Sequence, residues 1–150
     1  MSGKQYVLDH FGTIWPAHVS SFTWFLAKCR KQFSGDLDLM LVLATIGDRT
    51  LAARHVPADM TYEQFVGGQM GHVPVEPINI QSVADFLGMP KETVRRKINS
   101  LIDLGWVERD ANGALAATAK AARELAPLTD EGVDYLGRMW ATLSSVSSKA

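Results

Sequence analysis

Apolar residues recur along this chain at two different spacings, and each change of spacing marks an element. Trp15, Val19, Phe22, Leu26, Cys29 and Phe33 follow one another at alternating steps of four and three. That repeat is one face of an amphipathic helix of about five turns, with Pro16 in its first turn and Ser34-Gly35 as its stop. Residues 1–13 show no such period and read as a loosely held arm. Asp36 can cap a second helix, in which Leu37, Leu39, Met40, Leu41, Val42, Leu43, Ala44 and Ile46 are apolar nearly all round. So little polar face predicts burial on most sides. Residues 48–77 read mainly as loop, with GGQMG at 67–71 and prolines near the end. Within them Thr61-x-x-Gln64 offers a capping box for a short helix carrying Tyr62, Phe65 and Val66.

From residue 79 the pattern tightens. Asn79 is a suitable N-cap for a helix whose Val83, Ala84, Phe86 and Leu87 gather on one face, and Gly88 stops it. Val94, Ile98, Leu101, Ile102 and Gly105 then form one stripe of a second helix, which must face a core. Its opposite face carries Glu92, Arg96, Asn99 and Asp103, with Arg95 and Lys97 on the flanks. Trp106 to Arg109 alternates apolar and polar, 110–113 (DANG) is turn chemistry, and Leu115 to Thr118 returns as a partner strand. Thr118 can cap an alanine-rich helix over 119–125, ended by Pro127. Thr129 can cap a last helix, with Asp130 and Glu131 in its first turn and a stripe of Val133, Leu136, Met139, Trp140, Leu143 and Val146. Residues 144–150 read as a fraying tail.

Two short helices followed by a hairpin is an arrangement that can place its second helix in a DNA major groove. Over residues 79–113 the chain resembles the winged helix-turn-helix of bacterial transcription regulators. The matching positions are Val83-Ala84-x-x-Leu87-Gly88-Met89, Thr93-Val94-x-Arg96, and Leu101-x-x-x-Gly105-Trp106-Val107-Glu108-Arg109. The resemblance implies a mainly α fold with a small β wing, in one winged-helix domain with its core at about 36–118. It also implies sequence-specific binding of double-stranded DNA, with 91–103 as recognition helix and 106–117 as wing. The apolar helices at 15–34 and 129–146, and the LTDEG phrase at 128–132, resemble the MarR type. That type implies a homodimer joined by its terminal helices and a possible small-molecule effector. Compact members have a much shorter connection than 48–77, so about 25 residues there look inserted. The aromatics of that segment either pack on the core or line an effector pocket. Pro90 stands where such regulators often carry a serine cap.

On that helix Arg95 and Arg96 can offer bidentate donors to guanine, Asn99 can pair with adenine, and Glu92 can accept from cytosine N4. Lys91, Thr93 and Lys97 suit phosphates, and Arg109 on the wing suits the backbone or the minor groove. Composition sharpens this. The net charge is −1, yet the Lys91 to Lys97 stretch alone carries +3 and the remainder −4. Positive charge is therefore focused where phosphate attraction would need it. The alternative reading is an interaction module whose winged helix binds a protein.

With 47% apolar and 21% charged residues the chain is globular rather than disordered. The single Cys29 excludes an internal disulfide and multi-cysteine zinc patterns, and its place on an apolar stripe suits an inert thiol. His10, His18, His55 and His72 are scattered, and prolines interrupt the His55-x-x-x-Asp59 and His72-x-x-x-Glu76 pairs, so no metal site is expected. GGQMG lacks the Lys-Ser/Thr of a phosphate loop, and neither a Gly-x-Ser-x-Gly elbow nor a His-Glu-x-x-His pair occurs. Neither an enzyme nor a cofactor is expected. Without a membrane-length apolar run or a signal-peptide layout, a cytoplasmic location is the default expectation.

Overall fold

A computed structural model of the chain describes residues 2–68 and 78–147. In order the elements are α1 (Gly3–Asp9), α2 (Phe11–Gln32), α3 (Leu37–His55), α4 (Tyr62–Val66), α5 (Ile80–Leu87), α6 (Lys91–Asp103), β1 (Val107–Arg109), β2 (Leu115–Ala117), α7 (Ala119–Glu124) and α8 (Ala126–Ser147). The protein is thus mainly helical, with one small antiparallel sheet. Two units divide the chain: residues up to 34 together with those from 127 onward, and residues 35–126.

In the unit of residues 35–126, α3 packs on α5, α6 and β2. Its core is Val42 and Ile46 of α3, Val83 of α5, Val94, Ile98 and Leu101 of α6, and Leu115 of β2, all essentially without solvent contact. Each such side chain contributes roughly 1.5–3 kcal/mol by burial. Asp36 caps α3 as its position predicts, accepting from the Leu39 N–H at 2.9 Å. Two readings of α3 are corrected. It is buried along one face rather than on most sides, since Leu41 and Ala44 are exposed. It also runs on to His55, taking the first eight residues of the segment read as loop. Thr45 and Thr50 hydroxyls donate back to the Leu41 and Ile46 carbonyls, both at 2.8 Å. Thr50 also accepts the Ala117 N–H at 3.0 Å, tying this part of α3 to the end of β2.

The capping box of α4 forms as its spacing predicts, Thr61 and Gln64 each bonding the other's backbone. Asn79 caps α5 through the Ser82 N–H, and Gly88 ends it in the left-handed region at φ 63°. The stripe predicted for α5 is only partly buried: Phe86 is 70% exposed, because the helix turns Val83 and Ala84 to the core and leaves Phe86 on its far side. At the end of α6 the Trp106 N–H bonds the Leu101 carbonyl and the Gly105 N–H bonds that of Ile102, each at 2.9 Å. This paired closure needs a left-handed residue, and Gly105 supplies it at φ 75°.

β1 and β2 pair with Val107 opposite Ala117 and Arg109 opposite Leu115. Asp110 shapes the intervening turn, its Oδ1 accepting from the Asn112 and Ala114 N–H groups. An isolated bridge adds Ile78 beside Leu115, whose N–H reaches the Ile78 carbonyl at 2.8 Å. Nothing in the sequence pattern signalled that third chain segment. Thr118 caps α7 through the Ala121 N–H and donates to the Gly105 carbonyl at 2.7 Å. Trp106, nearly buried, donates Nε1–H to Glu124 at 2.6 Å, which fastens α7 to the hairpin.

In the other unit, the expected loose arm is instead α1 and the first turn of α2. Tyr6 donates to the Leu143 carbonyl at 2.9 Å, and Phe11 stacks on Trp15 at 5.3 Å, which favours carrying α2 one turn earlier than its seam predicts. Pro16 therefore lies inside α2 rather than in its first turn. Pro127 is likewise corrected. It opens α8 as the second residue, where its missing N–H is one that no helix would use. Thr129 is then within the helix rather than its cap, and Asp130 and Glu131 fall beyond the first turn. Glu131 pairs with Lys28 at 3.4 Å. Helix α8 continues through 144–147, where a frayed tail was expected; residues 148–150 lie outside the described residues.

Candidate functional site

The chemistry-bearing stretch is α6, and its geometry follows from the stripe that anchors it. Val94, Ile98 and Leu101 are fully buried against α3 and α5, so the opposite side of the helix faces outward. Glu92, Arg96, Asn99 and Asp103 are all exposed there, as are Lys91 and Arg95. Thr93 is half-buried. Arg109 is exposed on β1, a different element from the other predicted residues. Helix α6 starts at Lys91 after Pro90, which offers no side-chain cap. The first-turn N–H groups thus carry the helix's partial positive charge beside an ammonium group.

Two of the four cations on α6 are already engaged. Arg95 donates to Glu92 through both Nε (2.9 Å to Oε2) and Nη2 (2.6 Å to Oε1). The Arg95 hydrogen bond holds the Glu92 carboxyl below its ordinary value, and the same bond raises the guanidinium. Lys97, expected at a phosphate, is instead held by Asp36 of the α3 cap at 2.5 Å and is only 24% exposed. Burial alone would raise the Asp36 carboxyl, but the bonds from Lys97 and from the Leu39 N–H outweigh it and bring it below the usual range. Lys91, Arg96 and Arg109 make no ion pair among the described residues. Sequence reasoning identified Asp36 as a cap and missed its grip on α6, because the two positions lie 61 residues apart.

Elsewhere, a cavity of about 350 Å³ lies between α2 and α8, lined by Lys28, Lys31, Gln32, Pro127, Leu128 and Glu131. It is not built from the aromatics of 48–77 that sequence reasoning considered for an effector pocket. Tyr62 of that segment is partly exposed and Phe65 half-buried. His18 meets the Tyr135 hydroxyl at 3.0 Å, inside a row of rings that includes Trp15 and Phe22. His72 and most of GGQMG lie outside the described residues, as does the side chain of His55. Among the described residues no three His, Cys, Asp or Glu side chains gather to hold a metal ion. Cys29 is buried, and burial pushes its thiol up. No described helix is long and apolar enough to cross a membrane.

Comparison of the chain with protein-family models, with curated proteins and with solved structures finds no match.

Proposed function

We propose that the chain is a cytoplasmic, homodimeric transcription regulator of winged helix-turn-helix, MarR-like build, which binds double-stranded DNA in a sequence-specific manner. In this reading α5 and α6 are the helix-turn-helix, α6 enters the major groove, and the β1–β2 hairpin is the wing, with Arg109 beside the backbone or the minor groove. One observation carries it. Arg96 and Asn99 stand exposed on the outward face of a helix whose inward Val94, Ile98 and Leu101 are fully buried, and Arg96 makes no ion pair among the described residues. A guanidinium and a carboxamide on one rigid helix face are the donors that suit guanine and adenine edges. The uncapped start of α6 with Lys91 is a natural neighbour for a phosphate.

Selection of bound sequences from a random duplex pool, followed by salt titration on the selected site, tests this. Arg96→Ala is expected to lose about 1–3 kcal/mol of discrimination at one base position. Equal losses on selected and random duplexes would contradict base reading by Arg96. A protein-interaction module is the second reading, favoured by the 70% exposure of Phe86 on α5. Under that reading no duplex is retained even at low salt.

A further inference from the structure

The two cations beside each other on α6 are in different states. Arg96 is unpaired among the described residues, whereas Arg95 is clasped by Glu92 one turn earlier through two hydrogen bonds. The clasp uses the same two-pronged guanidinium edge by which an arginine takes guanine or a phosphate. Both side chains are at least half exposed, at 50% and 65%, so the pair stands on the surface that would meet a ligand. Glu92 is also in the first turn of α6, where the helix dipole favours a carboxylate.

The strength of the clasp is modest, since an exposed pair at this spacing is weak and screened by salt. On random duplex, however, a phosphate that takes Arg95 only exchanges one anion for another and leaves the displaced carboxylate facing other phosphates, so the guanidinium stays with Glu92. The pair therefore adds no net charge to backbone binding, which is governed by the number of phosphates neutralised. A guanine–cytosine pair is different. Guanine O6 and N7 accept from the arginine while cytosine N4 donates to a carboxylate, so both members of the clasp can be satisfied.

We infer that Glu92 is a specificity-determining residue: it withholds Arg95 from DNA phosphates and yields it to a base edge that satisfies the carboxylate too. This rests on the DNA-binding reading above. It predicts weak attachment to random duplex relative to the preferred site, set by one carboxylate.

Fluorescence anisotropy on the full chain, over a salt series, tests it with a random-sequence duplex and a duplex selected by the wild type. Glu92→Gln is expected to tighten random-duplex binding about tenfold and to steepen the log–log salt slope by roughly 1, the equivalent of one more phosphate contact. The ratio of selected to random affinity falls accordingly. Arg95→Ala leaves the random-duplex salt slope nearly unchanged and weakens the selected duplex more than the random one. In the double variant the Glu92→Gln gain disappears, because that gain requires the freed guanidinium. A gain that persists in the double variant overturns the inference, since simple loss of a negative charge would then explain it. So does a flatter wild-type slope on removing Arg95. If the wild type binds neither duplex at low salt, the DNA reading falls and this role falls with it. The clasp itself is then still distinguishable by an NMR titration of the Glu92 carboxyl, whose midpoint Arg95→Ala raises if the pair exists in the free protein.

Discussion

Asp36 shows how one side chain can join two parts of a fold. Its Oδ1 accepts the Leu39 N–H that starts α3, and its Oδ2 holds Lys97 of α6. Removing the lysine leaves the cap in place, so Lys97→Ala should cost under about 1 kcal/mol, as a partly exposed ion pair does. Asp36→Ala loses the cap too and should cost about 1–2 kcal/mol. Urea denaturation of the two variants checks the order, and a larger loss from Lys97→Ala would refute it. The pH dependence has a definite sign. The folded carboxyl of Asp36 sits below its ordinary value. Its contribution is therefore fully present above about pH 4, the unfolded carboxylate range, and is lost as pH falls through the lower folded value. Asp36→Asn should flatten the acid limb of the stability curve below about pH 4. An unchanged limb would show that other carboxylates govern it.

Thr118 performs the same joining role between the hairpin and α7. Its hydroxyl accepts the Ala121 N–H and donates to the Gly105 carbonyl, while its own N–H bonds the Trp106 carbonyl. Thr118→Ala removes a cap worth about 1 kcal/mol and strands a carbonyl at a cost of about 1 kcal/mol or more. A loss near 2 kcal/mol is expected, with Thr118→Ser keeping most of the stability; equal damage from both would reject the hydroxyl's role. The cap was legible in the sequence because a threonine before an alanine-rich run has a local meaning. So were the α6 stripe, fixed by its period, and the turn after β1, fixed by Asp110 and Gly113. What failed to show in sequence depends on distant partners. Residues 3–9 have no apolar period, and their helix leans on a Tyr6 bond to Leu143, 137 positions away. Pro127 can end one helix or begin the next, and local chemistry does not choose between them. Lys97 reads as a free cation until Asp36 is brought beside it. Arg96 reads on the outward face and Arg95 on its flank, and both are exposed, but the clasp that separates Arg95 from Arg96 is a rotamer choice that spacing alone does not fix.

At the scale of the whole molecule, apolar surface is unevenly distributed. Of the twelve large hydrophobic side chains that remain exposed among the described residues, eight belong to α1, α2 and α8. On α8 half of the predicted stripe stays open, with Val133, Leu136 (64%) and Trp140 (72%) exposed while Met139, Leu143 and Val146 are half-buried, and on α2 Trp15, Val19 and Phe22 are open as well. Apolar side chains exposed singly are ordinary, but a row of large ones along a helix marks an interaction surface. In the proposed homodimer a second copy of the chain covers this surface with an equally apolar one, as a two-fold contact requires. Sedimentation equilibrium should accordingly give twice the 16.5 kDa chain mass at micromolar concentration. Leu136→Glu with Trp140→Glu should give the chain mass while leaving the helical circular dichroism intact, since neither side chain is buried within its own chain. DNA affinity should fall together with dimerisation, by about 100-fold or more, because one chain can then hold only one half-site. A wild type that sediments at the single-chain mass would remove the dimer. A charged variant that stays dimeric would move the interface away from α8.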